Sequence, residues 1–189
     1  MYDDEFELTF DLSDEDKASR APEPEQEPVQ EAAPEPAAET EPPVEPVPEP
    51  AVPAANGRCV LISGGDRGIG AAAARAFWQA GYRVAVLYHT HAEAAAALEK
   101  ELPGLLAVQC DVASRASCEV AFHTVEQAVG HVDVLVSNAG IAQQKLFTDI
   151  TPEEWQHMLD VNLSGAFHLC QLALPGMIRR KAGRILTVS

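Results

Sequence analysis

The stretch Cys59–Gly70, CVLISGGDRGIG, decides how this chain is read. Its first five residues are apolar or small, the composition of a short strand buried on both faces. Glycines follow at 64, 65, 68 and 70, and an Ala-rich helix is expected from Gly70 to about Ala80, closed by Gly81. A turn this tight needs residues free to take positive φ, and a phosphate group approaching the backbone leaves no room for a Cβ. A helix beginning there aims its free N–H groups and the positive end of its dipole at that phosphate. A glycine pattern alone is weak. Its position between a strand and a helix makes nucleotide binding the better reading over a purely structural turn.

The segments on either side repeat the same alternation. Arg83–Tyr88 (RVAVLY) is a second apolar strand, and Glu93–Glu101 a helix stopped by Pro103-Gly104. Leu105–Cys110 is a third strand, Ser114–Val129 a helix closed by Gly130, and Val132–Val136 a fourth strand. Thr151-Pro152-Glu153-Glu154 then opens a long helix with a Thr N-cap, Pro at the first helical position and Glu three residues after the cap. That helix is expected to run to about Lys181, kinked at Pro175, and to lead into a closing strand in GRILTVS, residues 183–189. Apolar strands alternating with helices mean a parallel sheet covered on both faces, a doubly wound α/β (Rossmann) fold.

Charge divides the chain in two. Residues 1–56 hold 17 of the 29 acidic residues, two of the 13 basic ones and 11 of the 14 prolines. Residues 57–189 therefore carry a net of −1 against −16 for the whole chain. The Pro/Glu/Ala alternation of residues 21–55 cannot bury enough apolar surface to offset chain entropy, so 1–56 is expected to be a disordered acidic tail and 57–189 the folded domain. Within the tail, FELTFDL has Phe6, Leu8, Phe10 and Leu12 at period two. It reads as a disordered tip or as a motif that adds a strand to a partner's sheet. There is no basic stripe for nucleic acid and no apolar run long enough to span a membrane. Cys59, Cys110, Cys118 and Cys170 have no metal-ligand spacing and are expected as reduced residues of a cytoplasmic protein.

The loop spacing is Gly64-x-x-x-Gly68-x-Gly70, and three further stretches occur in order: Cys110-Asp111-Val112, Ser137-Asn138-Ala139-Gly140 and Asp160-Val161-Asn162. In these the chain resembles the short-chain dehydrogenase/reductase family. The resemblance covers the whole of 58–189, with Ser137 standing where the family has Asn. It implies a nicotinamide dinucleotide held by Gly64, Gly65, Asp66, Arg67, Gly68, Ile69 and Gly70. It also implies an adenine contact at Asp111 and Val112, further contacts at Asn138, Ala139 and Gly140, and a catalytic-site role for Asn162.

At the end of the second strand, dinucleotide folds that take NAD place a carboxylate on the ribose hydroxyl. Here stands Tyr88, followed by His89 and Thr90; these three are expected to border the cofactor, with His89 or Thr90 against a 2′-phosphate. With the permanent cation of Arg67 in the loop, this points to NADP(H) in preference to NAD(H). His89 and His91 have no further ligand in sight and are read as loop residues, with no metal site.

Ketone reduction needs an acid for the forming alkoxide. In the family that acid is the Tyr of Tyr-x-x-x-Lys, which occurs nowhere in residues 1–189. The resemblance implies that the catalytic Ser follows GRILTVS, so these residues form a sheet incomplete at its C-terminal side and, by themselves, an inactive reductase fragment. The pattern is similar to 3-oxoacyl-carrier-protein reductases, acting on a ketone linked to a carrier or protein, in an enzyme that forms homo-oligomers. The string Ala142–Ile150, AQQKLFTDI, resembles reductases of the 5-aminopentanone modification on elongation factor P. A non-catalytic NADP-binding protein, or one acting through its tail, is the alternative outside enzymes.

Overall fold

The structure, a computed structural model, describes residues 55–189. The acidic tail with FELTFDL lies outside the described residues except for its last two positions. Asn56 is already tied to the domain: its N–H donates to the Gly81 carbonyl (2.8 Å) and its side-chain amide to that of Ala80 (3.0 Å).

Five strands, β1 (Cys59–Ser63), β2 (Arg83–Tyr88), β3 (Leu106–Gln109), β4 (Val134–Ser137) and β5 (Arg184–Thr187), form one sheet in the order β3-β2-β1-β4-β5. Every pairing is parallel, with Leu61 opposite both Ala85 and Leu135. The helices are α1 (Gly68–Gln79), α2 (Ala92–Glu101), α3 (Arg115–Val129), α4 (Pro152–Leu159) and α5 (Gly165–Arg180).

The period-two geometry of strands splits the core into two. Val60, Ile62, Val84, Val86, Val134 and Val136 pack against Ala71, Ala74 and Trp78 of α1 and Leu98 of α2. Leu61, Ala85, Leu87 and Leu135 face the other way, onto Cys118, Phe122 and Val125 of α3 and Leu169 and Ala173 of α5. All five residues of β1 are buried, and each large apolar side chain so placed contributes roughly 1.5–3 kcal/mol. The strands β1, β2 and β4 are thus covered on both faces, as their uninterrupted apolar runs predict, while the edge strand β5 is exposed at Arg184, Leu186 and Thr187.

Local signals act where expected. Ser114 caps α3 through the Ser117 N–H, 3.3 Å away. Thr151 and Glu154 form a reciprocal capping box at the start of α4, at 3.2 and 3.1 Å. The Trp78 indole N–H donates to the Pro103 carbonyl (3.0 Å), fastening the turn that ends α2 to α1.

The expected single helix from Thr151 to Lys181 is instead α4, a π-helical segment Asp160–Ser164, and α5. Helical structure passes through Pro175 without interruption. Pro175 and Gln171, whose carbonyl loses its partner, are both exposed, so water can satisfy that carbonyl. The irregular turn lies where Asn162 bonds to another loop, a long-range contact that local pattern does not show. β4 begins at Val134 rather than Val132, and β3 spans Leu106–Gln109 rather than Leu105–Cys110. Among the described residues no helix is long and apolar enough to cross a membrane.

Candidate functional site: the cleft at the strand ends

The chain moves from β1 outward to β2 and β3, then returns across β1 to β4 and β5. Loops leaving β1 and β4 therefore diverge, opening a crevice at the carboxyl ends of the two central strands. A cleft of about 420 Å³ lies there, within the size range of small-molecule sites.

Ser63 holds its floor. The side chain is fully buried, accepts the N–H groups of Asn138 and Ala139 (3.0 Å each) and donates to the Val136 carbonyl at 3.5 Å. Both lone pairs and the single proton are used. The Asn138 amide reaches back to donate to the carbonyls of Ser63 (3.0 Å) and Gly64 (2.9 Å). The two loops are thus stitched together before any ligand arrives. Asn138 lines the cleft, but its amide nitrogen is engaged in this stitching.

The glycine loop crosses the opening. Gly64 and Gly68 have φ of +61° and +53°, the left-handed region in which a Cβ is strained. A Cβ at Gly68 would meet nothing within 4 Å, so this residue presents bare backbone to the cleft. Gly65 and Gly70 behave differently from the expectation that they contact a cofactor, since neither lines the cleft. A Cβ on Gly65 would stand 2.6 Å from the Val86 side chain, and one on Gly70 2.1 Å from the Gly64 carbonyl oxygen. These two positions are glycine so that loop, strand and helix can close on one another.

Of the remaining expected residues, Asp66, Arg67, Ile69, Tyr88, His89 and Thr90 line the cleft, as do Asp111, Val112, Ala139 and Gly140. Asp111 Oδ1 accepts the Ala113 N–H (3.0 Å), which turns the chain from β3 into α3. The sequence reading missed Leu87, Cys110, Ile141, His157 and Val161 as lining residues, and left His91 as an ordinary loop residue. His157 and Val161 are four apart and so share a helical face, the one signal that could have marked them.

Asn162 does not line the cleft. Its Oδ1 accepts the Ile141 N–H (2.8 Å) and its Nδ2 donates to the Ile141 carbonyl (3.0 Å), pinning the loop after β4 to the π-helical turn. Its side chain is exposed. A Cβ on Gly140 would stand 3.2 Å from its Oδ1.

Arg67 precedes α1 with extended backbone, and no side chain caps the helix. The first helical bond runs from Ala71 N–H to the Arg67 carbonyl (3.1 Å). The N–H groups of Gly68, Ile69 and Gly70 precede that bond and have no partner in the preceding turn. Bare glycine backbone, an uncapped helix end and an arginine beside a cleft fit a pyrophosphate.

Cys110 and Cys118 have their sulfurs 4.0 Å apart and are free thiols, like Cys59 and Cys170. The Cys118 neighbour holds Cys110 below the usual thiol range, while the same contact and burial push Cys118 up. Burial pushes Cys59 up to about 11. Among the described residues no three His, Cys, Asp or Glu side chains gather as metal ligands.

Residues 58–189 match the family model described as short chain dehydrogenase. An acetoacetyl-CoA reductase of Paracoccus denitrificans is 39% identical over 132 residues, 70% of this chain and 54% of that protein. A 3-oxoacyl-[acyl-carrier-protein] reductase, MabA, of Mycobacterium bovis is 39% identical over 138 residues, 73% of this chain and 53% of its own length. The crystal structure of gox2181 superposes with a TM-score of 0.65 at 32% identity, covering 70% of this chain and 53% of that one. The chain spans about half the length of the curated relatives it matches.

Proposed function

The chain belongs to the short-chain dehydrogenase family, and we propose that its cleft binds NADP(H), in preference to NAD(H), for the reduction of a ketone of the 3-oxoacyl-thioester class. The observation that carries the cofactor reading is the uncapped start of α1 with Arg67 beside it, at the mouth of the cleft between the β1 and β4 loops. The free N–H groups of Gly68 and Ile69 would hold the pyrophosphate, and Asp111 and Val112 would border the adenine. Arg67 would take the 2′-phosphate, as a guanidinium suits that group and no carboxylate stands at Tyr88.

When bound, the nicotinamide supplies the hydride that reduces the carbonyl. Asn162 acts as a positioning residue, fixing Ile141 at the edge of the cleft. The thioester class is supported by the acetoacetyl-CoA and 3-oxoacyl-carrier-protein reductases among the relatives. The ketone is read as linked to a carrier, and a second copy of the chain is the partner expected at the exposed Leu163, Phe167 and Leu174. Four free cysteines support a cytoplasmic setting.

A polypeptide limited to residues 1–189 holds neither a Tyr-x-x-x-Lys acid nor its tuning lysine. Loss of a general acid lowers rates by about 10²–10⁴, so this polypeptide alone should bind cofactor without useful turnover. Titration with NADPH and NADH, followed by nicotinamide fluorescence, tests the binding half. NADPH is expected to bind at least about tenfold more tightly, one charge-assisted contact's worth, with Arg67→Gln erasing the difference. Equal or tighter binding of NADH would overturn the preference. NADPH oxidation with an acetoacetyl thioester, at a rate comparable to the relatives, would overturn the inactivity.

A further inference from the structure

We propose that His91 and Asp66 form a proton-linked switch that makes Arg67 available to the 2′-phosphate, an inference that rests on the cofactor reading above. Asp66 lines the cleft, yet its side chain is only 6% exposed and its Oδ2 has no hydrogen-bond partner. A buried carboxylate left so is costly unless a cation comes to it. The group nearest to serving it is His91, whose Nδ1 stands 3.6 Å from Oδ2, just beyond hydrogen-bond reach. Thr90 Oγ1 lies 3.2 Å from the same nitrogen.

The other imidazole nitrogen fixes the tautomer. His91 Nε2 is 3.2 Å from Arg67 Nη1. A guanidinium can only donate, so Nε2 here carries a lone pair and Nδ1 the proton. Arg67 is therefore held on a neutral imidazole, and Asp66 lacks a full counter-charge. A solvent proton that bonds to Nε2 removes the acceptor holding Arg67. It also turns His91 into a cation whose Nδ1–H faces Asp66.

The cluster then presents Arg67 and an imidazolium to a phosphomonoester, with Asp66 balanced behind them. Without that proton, the carboxylate would repel the dianion and Arg67 would meet it alone. Binding of the 2′-phosphate should thus take up a proton. Because Asp66 is the source of the demand, it is a positioning residue, and His91, between it and Arg67, is the group that receives the proton. The other titratable groups lining the cleft are Tyr88, His89, Cys110, Asp111 and His157, and Glu93 stands in the first turn of α2. All of these remain in a His91→Asn variant, so the difference between the two chains isolates His91.

The experiment is calorimetric titration of the 189-residue chain with adenosine 2′,5′-bisphosphate, in buffers of differing ionisation enthalpy, from about pH 7 to 8.5. The phosphate, with a second pKa of about 6, is already a dianion across that window. Expected is uptake approaching one proton per ligand, with affinity falling by up to about tenfold per pH unit. His91→Asn should bring the uptake near zero and flatten the slope. Asp66→Asn should remove the uptake while strengthening binding at the alkaline end. Adenosine 5′-diphosphate, which lacks the 2′-phosphate, should bind without taking up a proton. Binding of the bisphosphate with no proton uptake, or with uptake unchanged in His91→Asn, overturns the switch and leaves the cofactor reading standing. Binding of neither nucleotide overturns both.

Discussion

Replacing Ser63 with alanine removes an oxygen that satisfies two backbone N–H groups, Asn138 and Ala139, at 3.0 Å each. It also frees the Val136 carbonyl of a weak partner at 3.5 Å. Little packing is lost, because only one atom goes. The cost is electrostatic: both N–H groups sit in a part-buried corner between β1 and β4. At about 1–1.5 kcal/mol for each stranded group, the change should destabilise the chain by roughly 2–3 kcal/mol, a large share of the roughly 5–15 kcal/mol that holds a domain folded. Urea unfolding followed by far-ultraviolet dichroism measures this as a lower midpoint with an unchanged slope. Thr124→Ala is the control: its hydroxyl lies exposed on α3 and returns to the Val120 carbonyl (2.9 Å), and its loss should stay within about 0.5 kcal/mol. Because Asn138 and Ala139 line the cleft, nucleotide affinity should fall together with stability. If Ser63→Ala unfolds within about 0.5 kcal/mol of the unaltered chain, the N–H groups have found other partners and the role assigned to Ser63 is wrong.

Two other perturbations test the structure away from the cleft. Thr151→Ala breaks the capping box at the start of α4 and should cost about 1 kcal/mol, measured by the same unfolding method. Arg75 holds the Glu101 carboxyl below its usual value of 4.5, chiefly through their hydrogen bond. A folded pKa lower than the unfolded one means the pair stabilises above that value and stops doing so as pH falls through the lowered one. Since the two side chains are 43% and 46% exposed, solvent screening holds the contribution below about 1 kcal/mol. Arg75→Ala should therefore destabilise slightly at about pH 7, with a loss that shrinks as the pH falls below 4.5. A loss that does not change with pH would remove the ion pair as the cause.

What could be read along the chain was whatever depends on neighbours in sequence. The glycines at 64 and 68 announced the turn because its backbone needs positive φ, and Thr151-Pro152-Glu153-Glu154 announced α4 because its cap is formed within one turn. Gly65 and Gly70 belong to the same motif, yet their reason for being glycine is the approach of Val86 and of the Gly64 carbonyl. Nothing in the spacing separates these roles. The π-helical turn at Asp160–Ser164 escaped for a similar reason. Asn162 there bonds Ile141, 21 residues back, while the visible local breaker, Pro175, sits on an exposed stretch that tolerates it.

The amino-acid sequence by itself determined the alternation of strand and helix, the doubly wound sheet and the place of the glycine turn. Those follow from hydrophobic period, glycine conformational freedom and capping, all of which act over a few residues. The tertiary structure alone decided which side chains meet at the cleft. Ser63 reaches Ala139 across 76 positions, and Arg67 meets His91 across 24, with Asp66 buried beside them. Such meetings depend on how parallel strands register and on which way each loop leaves its strand. Hydrogen bonds and charges sense distance in space, and separation along the chain carries no record of that distance.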